Sequence, residues 1–491
     1  MIVVISDLHM EEEASDAIPA GGTRPAVIFR RNQEAKGYRS FIAEIAERAE
    51  VRRVREFRLV IAGDLFDFNR TVLWFEDELR PYTSLKEVSA PLEQKVLRIL
   101  NAIAAEPQVR EALEVLRMLA SGEYVDRAGR KRDFPASRIT IDYLAGNHDR
   151  LCNFGPLIRR RIRELLGQKG DEPFGHFLLF SNPSALIRHG HEYDRNNFAV
   201  DPENMKTIPL EVPENGYAES NFGDFVTIDI ATRLPWLLRK KYGDSAIRDN
   251  EVLSSLYLRL LKFDDVRPQS ALFDYLLDDS HGHYSAEQAW ECLMPVIQKL
   301  VEDIHDHPFF RFWLKQRAKP WAGAELEATR GLMKLGGWKN RVAREAARKI
   351  AHFMMGGDVA HPQFFAMREE LLLKQKVRLV LAGHTHMPQV CLVGSDGKSD
   401  RFYVNTGTWR DRILTTPDDR TFGRINALTY VELLSSSERT AKNGEASDSF
   451  AYWNGVTRDW PENTDQSQRP KLGLGRRVSL LAQQLIHTGK R

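Results

Sequence analysis

Five times in this chain a short apolar, largely β-branched run ends at a turn carrying a carboxylate, an amide or an imidazole. Residues 2–5 run into Asp7-Leu8-His9, residues 58–62 into Gly63-Asp64-Leu65-Phe66-Asp67, and residues 139–144 into Ala145-Gly146-Asn147-His148-Asp149. Residues 184–188 run into His189-Gly190-His191, and residues 376–381 into Gly383-His384-Thr385-His386. Runs of this composition read as strands buried on both faces. Open α/β sheets place their chemistry just past the carboxyl ends of such strands. The repetition therefore predicts an α/β fold whose site is gathered from five segments.

The intervening sequence fills in the rest. Residues 38–55 have helical spacing, and residues 92–120 read as a helical pair or one helix broken near Pro107. Residues 156–166 form a basic amphipathic helix whose arginines, Arg159, Arg160, Arg161 and Arg163, suit a solvated face or a phosphate. Residues 177–180 and 184–188 read as a hairpin on another layer, and residues 223–230 as a strand. Glu11, Glu12 and Glu13, in a long polar loop, read as a solvated face. The aromatic stretch at Trp74, Phe75 and Tyr82 reads as a packed insertion over the sheet edge.

A chain of 491 residues exceeds what one hydrophobic core sustains. The expected division is a discontinuous core, 1–230 with 358–434, a mainly helical insertion at 231–357, and a linker with C-terminal extension at 435–491. In the insertion, Leu253, Leu256, Tyr257 and Leu260 share one helix face, and Ser285-x-x-Gln288 predicts a capping box. Its aromatics, Phe309, Phe310, Phe312 and Trp313, read as its own core, its stretch 334–348 is basic, and its position makes it a candidate cap over the site. A short helix is expected near residues 478–486.

Net charge is +2, from 70 basic and 68 acidic residues, which argues against a surface built as a whole for nucleic acid. The three cysteines, Cys152, Cys292 and Cys391, form no C-x-x-C pair and fit a reducing compartment. No apolar run approaches the length of a membrane span, and a strand beginning at residue 2 leaves no room for a signal peptide. The expectation is a cytoplasmic protein without membrane contact.

Collected together, the strand-end groups are Asp7, His9, Asp64, Asn147, His189, His384 and His386. Mixed nitrogen and oxygen donors suit a borderline divalent ion: Mn as the expected one, with Fe, Zn or Co as alternatives. Seven donors are too many for one ion with an open position and about right for two that share a bridge. A pair of ions about 3.5–4 Å apart polarises a phosphoryl group and activates the water between them.

The motifs D-x-H, GDxxD, GNHD, HGH and GHxH, in this order, resemble those of the calcineurin-like metallophosphoesterase superfamily. The resemblance implies a four-layer α/β/β/α sandwich with a dinuclear metal centre at its strand ends. It implies that Asp7, His9 and His386 hold one metal, that Asn147, His189 and His384 hold the other, and that Asp64 bridges them. It further implies hydrolysis of a phosphoester by a metal-bridging hydroxide, with His148 assisting the leaving group. Asp149 would orient His148 or help hold the phosphate environment, while Asp67 and His191 would brace ligands from outside.

The motif set is less specific for substrate. A phosphorylated small molecule or nucleotide is the expected partner of a phosphodiesterase or phosphatase. GDLFDF resembles the UDP-diacylglucosamine pyrophosphatases, which carry arginine where His148 stands. Eukaryotic-type protein phosphatases use GDxxDRG, and Asn69-Arg70 departs from that pattern, leaving Arg150 or an arginine of the insertion to grip phosphate. The alternatives are a DNA exo- or endonuclease or a phosphatase of nucleic-acid ends, and a non-catalytic scaffold of the same fold. Oligomeric state is not legible.

Overall fold

Along residues 2–5 successive side chains enter two different cores, and this alternation organises the molecule. The computed structural model describes residues 1–268, 271–277, 284–317, 361–397, 399–417, 421–435 and 448–457. The basic stretch 334–348, the expected helix at 478–486 and most of the polar run 435–449 lie outside the described residues. Residues Met1–Val456 form one unit, and the protein is mixed α/β.

The strands in chain order are β1 (Ile2–Ile5), β2 (Glu56–Ala62), β3 (Glu123–Val125), β4 (Lys131–Asp133), β5 (Arg138–Leu144), β6 (Phe177–Ser181) and β7 (Ser184–Arg188). There follow β8 (Val266–Arg267), β9 (Leu379–Ala382), β10 (Gln389–Ser395), β11 (Asp400–Asn405), β12 (Arg412–Thr415), β13 (Phe422–Leu434) and β14 (Ser449–Thr457). One sheet has the order β5-β2-β1-β13-β12-β8, with β14 also on β13; a second has the order β10-β11-β9-β7-β6. In the first, β1, β2 and β5 are parallel; in the second, β7, β9 and β11 are.

Ile2, Val4, Val60, Ala62 and Leu144 share a core with Ala185, Ile187, Leu379, Leu381 and Val404, so the two sheets pack face to face. Val3, Ile5, Leu59, Ile61 and Ile141 point the other way. They meet helices α1 (Ala35–Val51), α2 (Ala90–Ala105), α3 (Pro107–Ala120) and α4 (Pro156–Leu165). On the far face of the second sheet Leu186, Val380, Ala382 and Tyr403 pack against Tyr193, Phe198, Tyr217 and Ala366. Burial on both faces is why these strands read as continuous apolar runs.

Trp409 ties the turn after β11 to α1. Its ring centroid lies 5.0 Å from both Tyr38 and Phe41, and its indole N–H donates to the Thr429 carbonyl at 2.9 Å. Trp409→Ala is expected to lower stability by about 3–5 kcal/mol. Denaturant unfolding would show a lower midpoint with an unchanged slope.

Three sequence expectations are corrected here. Residues 223–230 are helical: Asn221 and Asp224 form a capping box, and a wide turn, Thr227–Thr232, follows. The β-branched composition imitated a strand, but Phe222, Phe225, Ile228 and Ala231 recur at helical spacing and are buried. The polar run is followed by β14 on the core sheet. The segment read as a mainly helical insertion also carries β8, which joins the core sheet parallel to β12. Finally, Glu11, Glu12 and Glu13 are buried rather than solvated. Arg31, Arg70 and Arg410 surround Glu11, while backbone and hydroxyl donors, including the N–H groups of Ser15, Arg31 and Asn32, engage Glu12 and Glu13.

The Ser285–Gln288 capping box forms, and the arginines of α4 are engaged by Asp171, Glu172, Asn101 and Glu164. Among the described residues no helix is long and apolar enough to cross a membrane.

Candidate metal centre

The parallel strands of both sheets end side by side, and their turns are stitched together. Asp7 N–H donates to Gly63 O at 3.2 Å, His9 N–H to Asp64 O at 2.9 Å, and Gly383 N–H to His189 O at 2.7 Å. The sheets also meet directly, because His384 N–H donates to both carboxylate oxygens of Asp7 at 3.0 Å. Thr408 Oγ1 donates to the Asp7 carbonyl at 2.7 Å.

These turns are held in a conformation that ordinary residues avoid. Asp7, His9, Asp64, His384 and His386 all have φ between 46° and 71°; of the other described non-glycine residues only Arg53 and Gln375 do. Left-handed backbone costs free energy and collects where surrounding structure over-determines it, commonly at functional sites. The motif glycines serve the same crowding. Gly63 has φ +91° and faces the His189 ring, while a methyl group at Gly146 would collide with the Asp64 carboxylate and amide.

The side chains converge. Asp7, His9 and His386 form one group able to hold an ion; Asp7, Asp64 and His189 form another, and His9, Asp64 and His148 a third. Asp64 Oδ2 lies 3.1 Å from His189 Nε2 and 3.7 Å from His9 Nε2, is buried, and has no hydrogen-bond partner of good geometry among the described residues. Asn147 Oδ1 lies 3.1 Å from His189 Nε2 and 2.9 Å from His384 Nδ1. His386 Nε2 lies 2.9 Å from His9 Nε2 and 3.4 Å from Asp7 Oδ1.

The outer nitrogens decide what the inner ones can do. His9 Nδ1 meets Asp67 Oδ2 at 3.1 Å, His189 Nδ1 meets Ala62 O at 2.8 Å, and His384 Nε2 meets Asp194 Oδ2 at 3.0 Å. Each of these oxygens accepts a hydrogen bond from the ring N–H, so in the neutral ring each inner nitrogen turns its lone pair toward the other donor atoms. Donors bound to one ion at about 2.1 Å stand about 3 Å from one another, as these do. The donor set fits divalent cations.

Without a cation, protons must fill that role. Burial opposes charging His9, but Asp67 and Asp7 outweigh it and hold the ring's pKa near about 10; Asp64 does the same for His189, also to about 10. Ligation requires neutral imidazole, so metal uptake is expected to release about two protons at neutral pH, with affinity rising toward alkaline pH. Calorimetric Mn titrations in buffers of different ionisation enthalpy measure this. A buffer-independent heat would contradict it.

Some expected roles move. Asp149 does not touch the His148 ring; it accepts from Leu65 N–H, Gly146 N–H and the Tyr143 hydroxyl, bracing two ligand turns against each other. Asp67 takes the place beside His148, with Oδ2 3.1 Å from its Nδ1. Arg150 is buried and spent on Asp224, Ala218 O, Pro81 O and Ser220, so its position does not carry phosphate binding. His191 is buried beside His189 and His384 at ring separations of 5.3 and 6.4 Å, and burial pushes its pKa down to about 3.

Sequence reading missed Asp194, which holds His384, and Arg410, which pairs with Asp265 at 2.8 Å and reaches toward Asp67. It also missed Arg267, whose Nη2 stands 3.0 Å from His386 Nδ1. Asp194 lies in the HGHEYD segment, and a turn three residues beyond HGH would have pointed to it.

No protein-family model matches this chain, and neither a curated protein nor a solved structure does.

Proposed function

We propose that this chain is a dinuclear-metal-dependent phosphoester hydrolase built as a four-layer α/β/β/α sandwich of the calcineurin-like metallophosphoesterase type. The observation that carries the reading is the set of imidazoles and carboxylates converging on Asp64, whose buried Oδ2 lies between two groups of candidate donors with no hydrogen-bond partner of good geometry among the described residues. Asp7, His9 and His386 would hold one ion, Asn147, His189 and His384 the other, with Asp64 shared. Two such ions supply Lewis acidity at a phosphoryl oxygen and a water nucleophile at neutral pH.

The chain's own residues do the rest. His148 is 18% exposed, against 0–1% for the side chains of Asp7, His9, Asp64 and His189, so it stands at the opening of the site. Its backbone N–H donates to Asp64 Oδ1 at 2.9 Å, which fixes that carboxylate's orientation. Burial opposes a charge on His148, yet Asp67 and Asp64 outweigh it and raise its pKa above the ordinary value. With Nδ1 beside Asp67, Nε2 is the nitrogen that delivers a proton to a departing alkoxide. The substrate class is a phosphorylated small molecule or nucleotide.

Mn-loaded protein, assayed on bis-p-nitrophenyl phosphate and p-nitrophenyl phosphate, tests this. Turnover of either that is lost in EDTA and restored by Mn is expected. A faster diester marks a phosphodiesterase and a faster monoester a phosphatase. No turnover on either with two ions bound per chain would contradict the reading and favour a scaffold.

A further inference from the structure

The aromatics of the insertion do not all enter its core. Phe310 is fully buried, but Phe312, in the same helix Pro308–Arg317, is 57% exposed and makes no ring contact among the described residues. It lines a cleft of about 1080 Å³, large enough for a small organic molecule. Stacked pairs fix the walls of that cleft. Trp313 lies on Phe222 with ring centroids 3.7 Å apart and planes 10° apart. Phe309 lies on Tyr82 at 4.8 Å and 22°. Each pair joins the insertion to a different segment of the core, which leaves Phe312 as the uncommitted ring.

The cleft adjoins the candidate metal centre. Asn221 lines both it and the small cavity beside Asn147. Ser220, another lining residue, accepts at 3.0 Å from Nη2 of Arg150, which closes the same GNHDR turn as Asn147. Phe198, a third, directly follows Asn197, whose Oδ1 accepts from Asn147 Nδ2 at 3.2 Å. The polar lining selects among occupants. Asn215 and Glu219 are exposed there, and neither side chain makes a hydrogen bond or ion pair among the described residues. An amide donates and accepts while a carboxylate accepts, which matches the amino and ring-nitrogen edge of a base. Glu78 and Glu87 add two more carboxylates. An acyl chain would strip water from these groups and return nothing. A heterocycle instead stacks on an aromatic face and leaves its edge to polar partners.

We propose that this cleft binds the nucleobase of a nucleoside phosphoester, stacked on Phe312 with its edge toward Asn215 and Glu219. The identification of the base as part of the substrate rests on the hydrolase reading; the binding of the base does not. The helical insertion thus contributes to recognition by supplying the ring on which the base lies.

The test titrates adenosine into the EDTA-treated full-length chain by calorimetry. Wild type is expected to bind it without metal, and Phe312→Ala to weaken binding at least about fivefold, the loss of one stacked ring. Phe312 is exposed, so the substitution leaves packing intact. Phe312→Trp keeps a platform and is expected to restore binding, whereas Phe364→Ala, at another exposed ring outside the cleft, is expected to change nothing. Mn-loaded protein is then assayed on the p-nitrophenyl ester of adenosine monophosphate and on methyl p-nitrophenyl phosphate. Both lose the same nitrophenolate, so the ratio of their kcat/KM values isolates the nucleoside. That ratio is expected to exceed about tenfold in wild type and to fall in Phe312→Ala through KM. A single-stranded oligonucleotide that binds more tightly than adenosine, and less so as salt rises, would support the cleft and mark a nucleic-acid source; equal affinity would support it and mark a nucleotide. Turnover of both esters at equal kcat/KM without adenosine binding, or wild-type binding in Phe312→Ala, would overturn the cleft alone. Adenosine binding lost in Phe312→Ala, in a chain that holds two ions and turns over neither ester, would support the cleft and overturn the hydrolase reading.

Discussion

Asp64→Asn is expected to lower metal-dependent turnover by more than about 10³-fold, beyond the cost of one lost hydrogen-bond donor, and to leave fewer than two ions per chain. The substitution keeps the side-chain volume, so packing around the turn after β2 is preserved. What it removes is an anionic oxygen that has no hydrogen-bond partner of good geometry among the described residues and that His9 and His189 both face. Its other oxygen accepts from His148 N–H, an interaction the asparagine carbonyl can keep. Loss should therefore appear in metal content and turnover together, with the fold retained. Asp142→Asn, at a half-buried position of β5 paired with Arg58, is the matching control and should change neither.

His148→Gln separates metal binding from proton delivery. Both ions should remain, because the groups that orient His9, His189 and His384 are Asp67, the Ala62 carbonyl and Asp194 rather than the His148 ring. Turnover of an ester with an alcohol leaving group should fall about 10²–10⁴-fold, whereas a nitrophenolate, which departs without a proton, should be far less affected. The pH dependence follows from the raised His148 pKa. The proton is present below that pKa, so wild-type turnover of the alkyl ester should decline on the alkaline side, and the variant should lose that limb. Equal losses on both esters would point to a role in positioning phosphate instead.

The strands and the candidate ligands were legible because burial on both faces forces β-branched runs, and because a donor at a strand end is visible as a break in such a run. The residues that orient those donors left no comparable trace. Asp194 meets His384 only because a turn after HGH folds back across 190 positions of sequence. Glu11 looked solvated because its compensating charges, Arg31, Arg70 and Arg410, come from three distant segments. β8 is two residues long and carries no period, yet it pairs with β12 and carries Arg267 to His386. Residues 223–230 misled because β-branched composition outweighed the spacing of Phe222, Phe225 and Ile228, where tertiary packing decides. The left-handed backbone at Asp7, His9, Asp64, His384 and His386 has no sequence signature apart from the glycines that make room for it.

The most direct measurement is anomalous diffraction from crystals of the full chain soaked in Mn. Two peaks about 3.5–4 Å apart, with an Asp64 oxygen between them, Asp7, His9 and His386 around one and Asn147, His189 and His384 around the other, are predicted. A single peak, or none with the same side chains in place, would contradict the dinuclear centre on which the proposed hydrolysis depends.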